Sequence, residues 1–221
     1  MLKEIFKGTY LYFPGCFTEA NLDNVKQNYE KILQKIGVDF KHHVMKCCGA
    51  PFSALGYKKE FENLFEDNKI SLKKKIYPKI ITNDPSCYKT FKEKYSLEVE
   101  HMSTFILRKM GIQKRFEEDV TYHDSCDLGR HSKIFDEPRE ILRKLGFNVL
   151  EFQENKENAQ CCGACGFFSH NYPKIGDKMA DSLFKLLKTK KLITASPHCY
   201  YHLRKNAPTG IQVLELSEVL V

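Results

Sequence analysis

The sequence predicts an α/β protein made of two pseudo-symmetric parallel α/β halves, each carrying one cysteine motif at the carboxyl ends of its strands. An internal repeat predicts the two halves, because cysteines return at matched intervals about 110 residues apart. Short β-prone runs that alternate with stretches of helical period predict the parallel α/β class. Glycine and proline turn signals directly after those runs predict that the cysteines stand where strands end.

The repeat is read from the cysteines themselves. Cys16 is followed by the pair Cys47 and Cys48 and then by Cys87, and Cys126 is followed by Cys161 and Cys162 and then by Cys199. The first cysteine and the pair are separated by 30 and 34 residues in the two halves, and the pair and the last cysteine by 38 and 36. Each pair runs into Gly-Ala, and only Cys165 of the nine cysteines falls outside the scheme.

In the first half, Tyr10 to Phe13 is β-prone and ends at Pro14 and Gly15, so Cys16 follows a strand. Apolar residues at Leu22, Val25, Tyr29, Ile32, Leu33 and Ile36 have helical spacing, with Gly37 as the stop. Val38 to Val44 reads as extended and delivers Cys47 and Cys48. A helix is expected from Tyr57 to Lys75, a buried strand at Ile80 to Thr82, and a helix from Pro85 through Tyr95 that carries Cys87.

The second half repeats this order. Val120 to His123 is a strand leading to Cys126, Arg139 to Leu145 a helix closed by Gly146, and Phe147 to Phe152 a strand. Ile175 to Leu187 is expected to be helical and Leu192 to Ala195 a strand, after which Ser196 and Pro197 turn the chain into Cys199. The polar stretch Gly111 to Glu118 sets the expected halves at residues 1–111 and 112–221. In open parallel sheets, sites form at strand carboxyl ends, where Cys16, Cys87, Cys126 and Cys199 are expected.

Composition narrows the function. The chain has 221 residues, 42% of them hydrophobic and 29% charged, so it can bury a core without covalent staples. The first residues lack a signal-type apolar run, and no stretch approaches the ~20 apolar residues of a membrane span. A cytoplasmic protein is therefore expected, peripheral to a membrane only through a partner. Nine cysteines in a reducing compartment, an odd number, point to metal or redox chemistry rather than disulfides. The net charge of +7 comes mainly from lysine and includes the runs Lys73 to Lys75 and Lys188 to Lys191. No aromatic-basic motif accompanies it, so no nucleic-acid partner is expected.

Each half supplies four thiolates, the number that holds a cubane iron–sulfur cluster. Thiolates also suit zinc and copper(I), and geometry decides among them. Adjacent cysteines fit a tetrahedral zinc poorly, because successive side chains diverge along extended backbone, and they fit a multi-metal object better. Gly49 and Gly163 would let the backbone approach an inorganic core and donate N–H groups to it.

The stretches Cys16…Cys47-Cys48-Gly49…Cys87 and Val120-Thr-Tyr-His-Asp-Ser-Cys126-Asp-Leu-Gly-Arg130…Pro138-Arg-Glu-Ile141…Cys161-Cys162-Gly163…Ser196-Pro-His-Cys199 resemble the tandem cysteine-rich (CCG) domain family. That family includes the B subunit of heterodisulfide reductase, the catalytic half of its D subunit, and iron–sulfur subunits of glycolate, lactate and glycerol-3-phosphate oxidising systems. The resemblance covers essentially the whole chain and implies 4Fe-4S clusters, cubane or noncubane, with zinc an alternative at one site. It implies as ligands Cys16, Cys47, Cys48 and Cys87 in one half and Cys126, Cys161, Cys162 and Cys199 in the other. In heterodisulfide reductases it also implies reductive disulfide cleavage at noncubane sites whose five cysteines end in Cys-x-x-Cys. Here Asp84 and Ser196 stand where the first cysteine of that motif would be. Each is either an extra ligand or a helix cap before proline.

Other residues carry two readings each. Cys165 is an extra ligand or a packed thiol, and Cys162-Gly-Ala-Cys165 has the spacing of a dithiol redox motif although Cys162 is already claimed by the repeat. His123 and His198 are ligands, proton relays or structural histidines. Arg130 and Arg139 either stabilise a reduced cluster or pair at the surface with Glu137 or Glu140. The chain has no G-x-G-x-x-G, no Walker motif and no ferredoxin-type cysteine run. It is therefore expected to be one component of an oxidoreductase complex with a flavin- or ferredoxin-type redox subunit, and with a disulfide or quinone as substrate. The competing classes are a structural zinc protein or assembly factor and a metal-free cysteine catalyst.

Overall fold

Each half is organised by four short parallel strands. The computed structural model describes residues 10–42, 45, 47–73 and 79–221, and the chain divides into two units between Met102 and Ser103.

The first unit opens with β1 (Tyr10–Tyr12), in which Leu11 and Tyr12 are fully buried. Helices α1 (Cys16–Asn21) and α2 (Asp23–Lys35) follow, and α2 buries Val25, Tyr29, Ile32 and Leu33, the stripe its period predicts. The chain returns through β2 (Phe40–His42), α3 (Ala50–Leu55) and α4 (Lys58–Lys73). It then enters β3 (Ile80–Thr82), α5 (Pro85–Glu93) and β4 (Val99–His101). All pairings are parallel in the order β2-β1-β3-β4, with Leu11 opposite Lys41 on one side and Ile80 on the other. All three residues of β3 are buried, as expected for an inner strand covered on both faces. Of the expected elements, residues 43–44 of the extended run and 74–75 of the long helix lie outside the described residues, as do residues 1–9 and most of the first lysine run.

Helix α6 (Met102–Lys109) begins at the division. Beyond it the second unit repeats the plan with β5 (Asp119–His123), α7 (Asp136–Leu145), β6 (Asn148–Val149), α8 (Phe168–Asn171), α9 (Pro173–Lys185), β7 (Lys191–Thr194), α10 (Pro197–Asn206) and β8 (Gln212–Glu215). Its sheet is also parallel, in the order β6-β5-β7-β8. Gly146 closes α7 at φ 100, where a Cβ would stand 2.1 Å from the Phe116 carbonyl oxygen, so only glycine fits this stop. The expected strand from Phe147 to Phe152 is cut to two residues. Glu151 turns out of the ladder to reach the Arg139 guanidinium on α7.

Both sheets share one consequence. The first strand of each is flanked by the second on one side and the third on the other, so successive crossovers leave in opposite directions. The carboxyl ends of β1 and β3, and of β5 and β7, therefore border a topological switch point, where open parallel sheets place their ligands.

Candidate metal centres

In the first unit, Gly15 at φ 89 turns the chain after β1 and sets Cys16 at the start of α1. A Cβ on Gly15 would come within 3.0 Å of Asp84 Oδ2, so the turn packs directly against the Asp84 carboxylate. Gly49, also at φ 89, starts α3 directly after Cys47 and Cys48, and a Cβ there would meet the Phe61 ring at 2.9 Å. After β3, Asp84 caps α5 and Cys87 stands in the helix's first turn. These turns gather the four predicted cysteines into one group. Cys16 Sγ lies 3.7 Å from Cys47 Sγ. The Cys48 thiol hydrogen-bonds with Cys47 and Cys87, so the four sulfurs form one connected group. The Gly49 N–H donates to Cys47 Sγ at 3.4 Å. Leu11, Phe13, Met45, Phe91 and Tyr95 pack with Cys48 and Cys87 behind it. Asn68 ties this wall to the group by donating to both the Tyr95 hydroxyl and the Cys47 carbonyl at 2.9 Å.

The second unit builds the same group and adds to it. Cys126 follows β5, Cys161 and Cys162 precede Gly163 at φ 85, and Cys199 stands in the first turn of α10. A Cβ on Gly163 would sit 3.1 Å from Gly176 Cα, so the pair is held against α9. The Gly163 N–H donates to Cys161 Sγ at 3.4 Å, as Gly49 does to Cys47. Cys126 bonds to Cys161 and Cys165, Cys162 to Cys161 and Cys199, and Cys165 to Cys126 and Cys199. The five sulfurs thus form one connected group, one sulfur more than the first unit gathers. Cys162 and Cys165 share Cys199 as a partner and otherwise bond to different cysteines, Cys161 and Cys126. All nine cysteines are free thiols.

The acidities follow from this crowding. Bonds from the Cys16 and Cys48 thiols, helped by the Gly49 N–H, lower Cys47 to about 3 against its burial. Bonds from Cys126 and Cys162 likewise lower Cys161 to about 2. Cys199 is pulled well down by Cys162, Cys165 and His123. Cys16, bonded to Cys47 and desolvated, is pushed up, and the charges it feels, from Cys47, Cys87 and Asp84, are all negative. Cys126 rises to about 12, chiefly through its bond to Cys161. Protein groups alone therefore keep only some of these sulfurs ionised, because like charges in a buried volume exclude one another. A soft, multiply charged core would ionise them all, and the donor set of thiolates and glycine N–H groups fits an iron–sulfur core.

The remaining sequence-predicted residues are placed as follows. Asp84 is buried and accepts the Ser86 and Cys87 N–H groups through Oδ1 at 2.9 and 3.3 Å, the geometry of a helix cap. Ser196 occupies the equivalent position before α10, buried and making no side-chain cap bond. Arg130 donates to the Ala159 carbonyl at 2.5 Å and so holds the approach to Cys161. Arg139 pairs with neither Glu137 nor Glu140. It is buried and forked onto Asp124 at 2.6 and 2.7 Å and onto Glu151 at 2.7 and 2.8 Å. Burial opposes its charge, but these carboxylates outweigh that and keep the guanidinium protonated. His123, at the end of β5, is buried, and its ligand nitrogen and the Cys162 and Cys199 sulfurs lie within 4.8 Å of one another. His198 is in the first turn of α10.

Comparison with known proteins bears on the repeat directly. The model of the CCG cysteine-rich domain matches residues 10–92 and again residues 120–204, together more than half the chain. The chain belongs to the CCG cysteine-rich domain family. It carries two CCG halves in tandem, as the cysteine intervals indicate. It is 32% identical over 204 residues to an uncharacterized iron–sulfur protein of Methanocaldococcus jannaschii, covering 87% of this chain and 40% of that one. It is 28% identical over 241 residues to the EtfAB:quinone oxidoreductase of Syntrophomonas wolfei, covering 96% and 34%. It is 30% identical over 198 residues to a subunit of the dihydromethanophenazine:CoB–CoM heterodisulfide reductase of Methanosarcina mazei, covering 81% and 48%. The chain thus spans less than half the length of each of these curated relatives. A crystal structure of a hypothetical protein from Helicobacter pylori shares the fold, with TM-score 0.68 and 12% identity over 96% of this chain and 48% of that one. Among the described residues, no helix is long and apolar enough to cross a membrane.

Proposed function

We propose that this chain is an iron–sulfur redox subunit of a heterodisulfide-reductase-like oxidoreductase complex, with one centre in each CCG half. The observation that carries the reading is the gathering of two thiol groups at the switch points of two parallel sheets, from cysteines scattered along each half. Relatives named as an iron–sulfur protein, a quinone oxidoreductase and a heterodisulfide reductase subunit support it.

Cys16, Cys47, Cys48 and Cys87 hold the first centre, and Cys126, Cys161, Cys162 and Cys199 hold the second, with Cys165 as a fifth sulfur. Such a centre, when bound, supplies one-electron transfer at a fixed buried position. The protein's part is to hold and shield it. Gly49 and Gly163 direct N–H groups at sulfur, and Phe13, Phe91 and Tyr95 exclude water behind the first group. Electrons enter from a flavin- or ferredoxin-type partner and pass to a disulfide, a quinone or a second protein. The second group, with more sulfur donors, is the better candidate for a noncubane 4Fe-4S cluster, and the first for a cubane.

A zinc reading draws on one observation, the His123, Cys162 and Cys199 set, whose two sulfurs and one nitrogen match a zinc donor set. Metal and sulfide analysis of anaerobically purified protein separates the two. The expected result is a brown protein with iron and acid-labile sulfide in near-equal amounts and zinc absent. A colourless protein that holds zinc and no sulfide would overturn the redox reading.

A further inference from the structure

The internal repeat supplies its own control at one position. Three residues before the first cysteine of each group, the first half has Phe13 and the second has His123. Both side chains are buried at the end of the first strand of their sheet, at 3% and 1% exposure. Phe13 meets ordinary core requirements and packs edge-on against the Phe91 ring at 5.1 Å. The fold therefore asks only for an apolar ring at this place. An imidazole there is costly unless its nitrogens are satisfied, because a buried polar group without a partner forfeits its hydration.

His123 is such an imidazole. Its Nε2 is fully buried with no oxygen or nitrogen partner among the described residues, and the ring's interaction is with the Cys199 sulfur. Cys162 and Cys199 bring sulfur atoms within 4.8 Å of its ligand nitrogen and of each other. The neighbouring carboxylate, Asp124, is taken up by Arg139 and by the Lys156 N–H, so it does not serve the imidazole. His202, another buried histidine of this half, shows the contrast, since its Nε2 lies 3.0 Å from the Gly176 carbonyl oxygen. A buried imidazole whose nearest donor atoms are two thiols of a metal-binding group stands where it can share the metal those thiols hold.

We infer that His123 is a nitrogen donor to the metal of the second centre, giving that centre a mixed sulfur and nitrogen ligand set that the first centre lacks. The inference rests on the iron–sulfur reading and makes the two halves chemically unequal. A neutral imidazole adds a donor without adding negative charge, so compared with a thiolate at the same position it favours the reduced, more negative state, as histidine ligation does in other iron–sulfur centres. His123 thus raises the second centre's reduction potential relative to the same centre with a thiolate in its place.

Pulsed electron paramagnetic resonance on anaerobic protein labelled with 15N only at histidine tests this. A one-electron couple has an odd-electron state on one side, so spectra are recorded both as isolated and after reduction. The expected result is a strongly coupled nitrogen that changes with the isotope, persists in His198→Ala and is lost in His123→Phe, the residue the first half already accommodates. His123→Cys should retain iron and lower the second centre's midpoint potential. Iron and sulfide present without a histidine nitrogen coupling in the unsubstituted protein would overturn the inference alone, even if every variant misfolded. A coupling that survives in folded His123→Phe would do the same. Absence of iron and sulfide would remove the cluster reading and this inference with it.

Discussion

Substituting Arg139 with methionine is expected to destabilise the second half by about 3–5 kcal/mol, the range for breaking a buried ion pair from one side. Arg139 is 1% exposed and forks onto Asp124, which is almost as buried, while also holding the Phe135 carbonyl and Glu151. Removing the cation leaves the Asp124 carboxylate desolvated, with the Lys156 N–H its one other partner among the described residues. The same guanidinium lies over the Tyr122 ring at 4.8 Å, so packing is lost as well. Arg139→Lys should recover little, because an ammonium cannot serve two carboxylates through parallel bonds. Asp124 lies two residues before Cys126, and Glu151 opens the segment leading to Cys161. Denaturant titration should therefore show a lower midpoint, and metal analysis should show iron lost from the second half and kept in the first. An unchanged midpoint would mean that the triad is not a structural centre of this half.

The second large effect separates the two centres. Cys165→Ser removes the fifth sulfur of the second group, and it is expected to change the second centre's spectrum while leaving the first centre's spectrum and much of the iron in place. Asp84→Cys is the reciprocal change, placing a sulfur beside the four-sulfur group where the carboxylate packs against Gly15. If the first centre admits a fifth donor there, its spectrum changes. If Asp84 serves only as the cap of α5, Asp84→Cys keeps the spectrum and lowers stability by about 1–2 kcal/mol through loss of the Ser86 and Cys87 bonds. Ser196→Cys makes the same test in the second half with no cap bond to lose. Electron paramagnetic resonance and iron content on all three variants decide between these outcomes. A Cys165→Ser spectrum identical to the parent's would reduce Cys165 to a bystander.

The repeat was legible because parallel topology fixes cysteine intervals. A crossover helix and its strand need similar lengths in both halves, so Cys16 and Cys126 return in step with the pairs that follow them. Inner strands such as Ile80–Thr82 read directly, as continuous apolar runs bounded by turn residues. The edge strands Val99–His101 and Gln212–Glu215 did not, because three or four residues are too few to display an alternation. Short helices at Cys16–Asn21, Ala50–Leu55 and Phe168–Asn171 lack a full apolar stripe and were not legible either. At the site, Cys165 had a local signal, Cys-Cys-Gly-Ala-Cys, but its bonds to Cys126 and Cys199 depend on long-range folding. Of the two readings of Arg139, the surface pair with Glu137 or Glu140 is not formed, because sequence shows helix neighbours and hides partners across a sheet edge.

The central claim is that two thiol groups hold two separate iron–sulfur centres, one in each CCG half. Iron and acid-labile sulfide per chain, measured anaerobically for the unsubstituted protein, Cys48→Ser, Cys162→Ser and the double variant, test it most directly. Cys48 and Cys162 are buried at the middle of each group, so each substitution should remove one centre. The account predicts that each single variant loses about its own half of the iron and sulfide, and that the double variant loses nearly all. Full iron retention in either single variant, or loss of all iron on substituting one half, would contradict two independent centres.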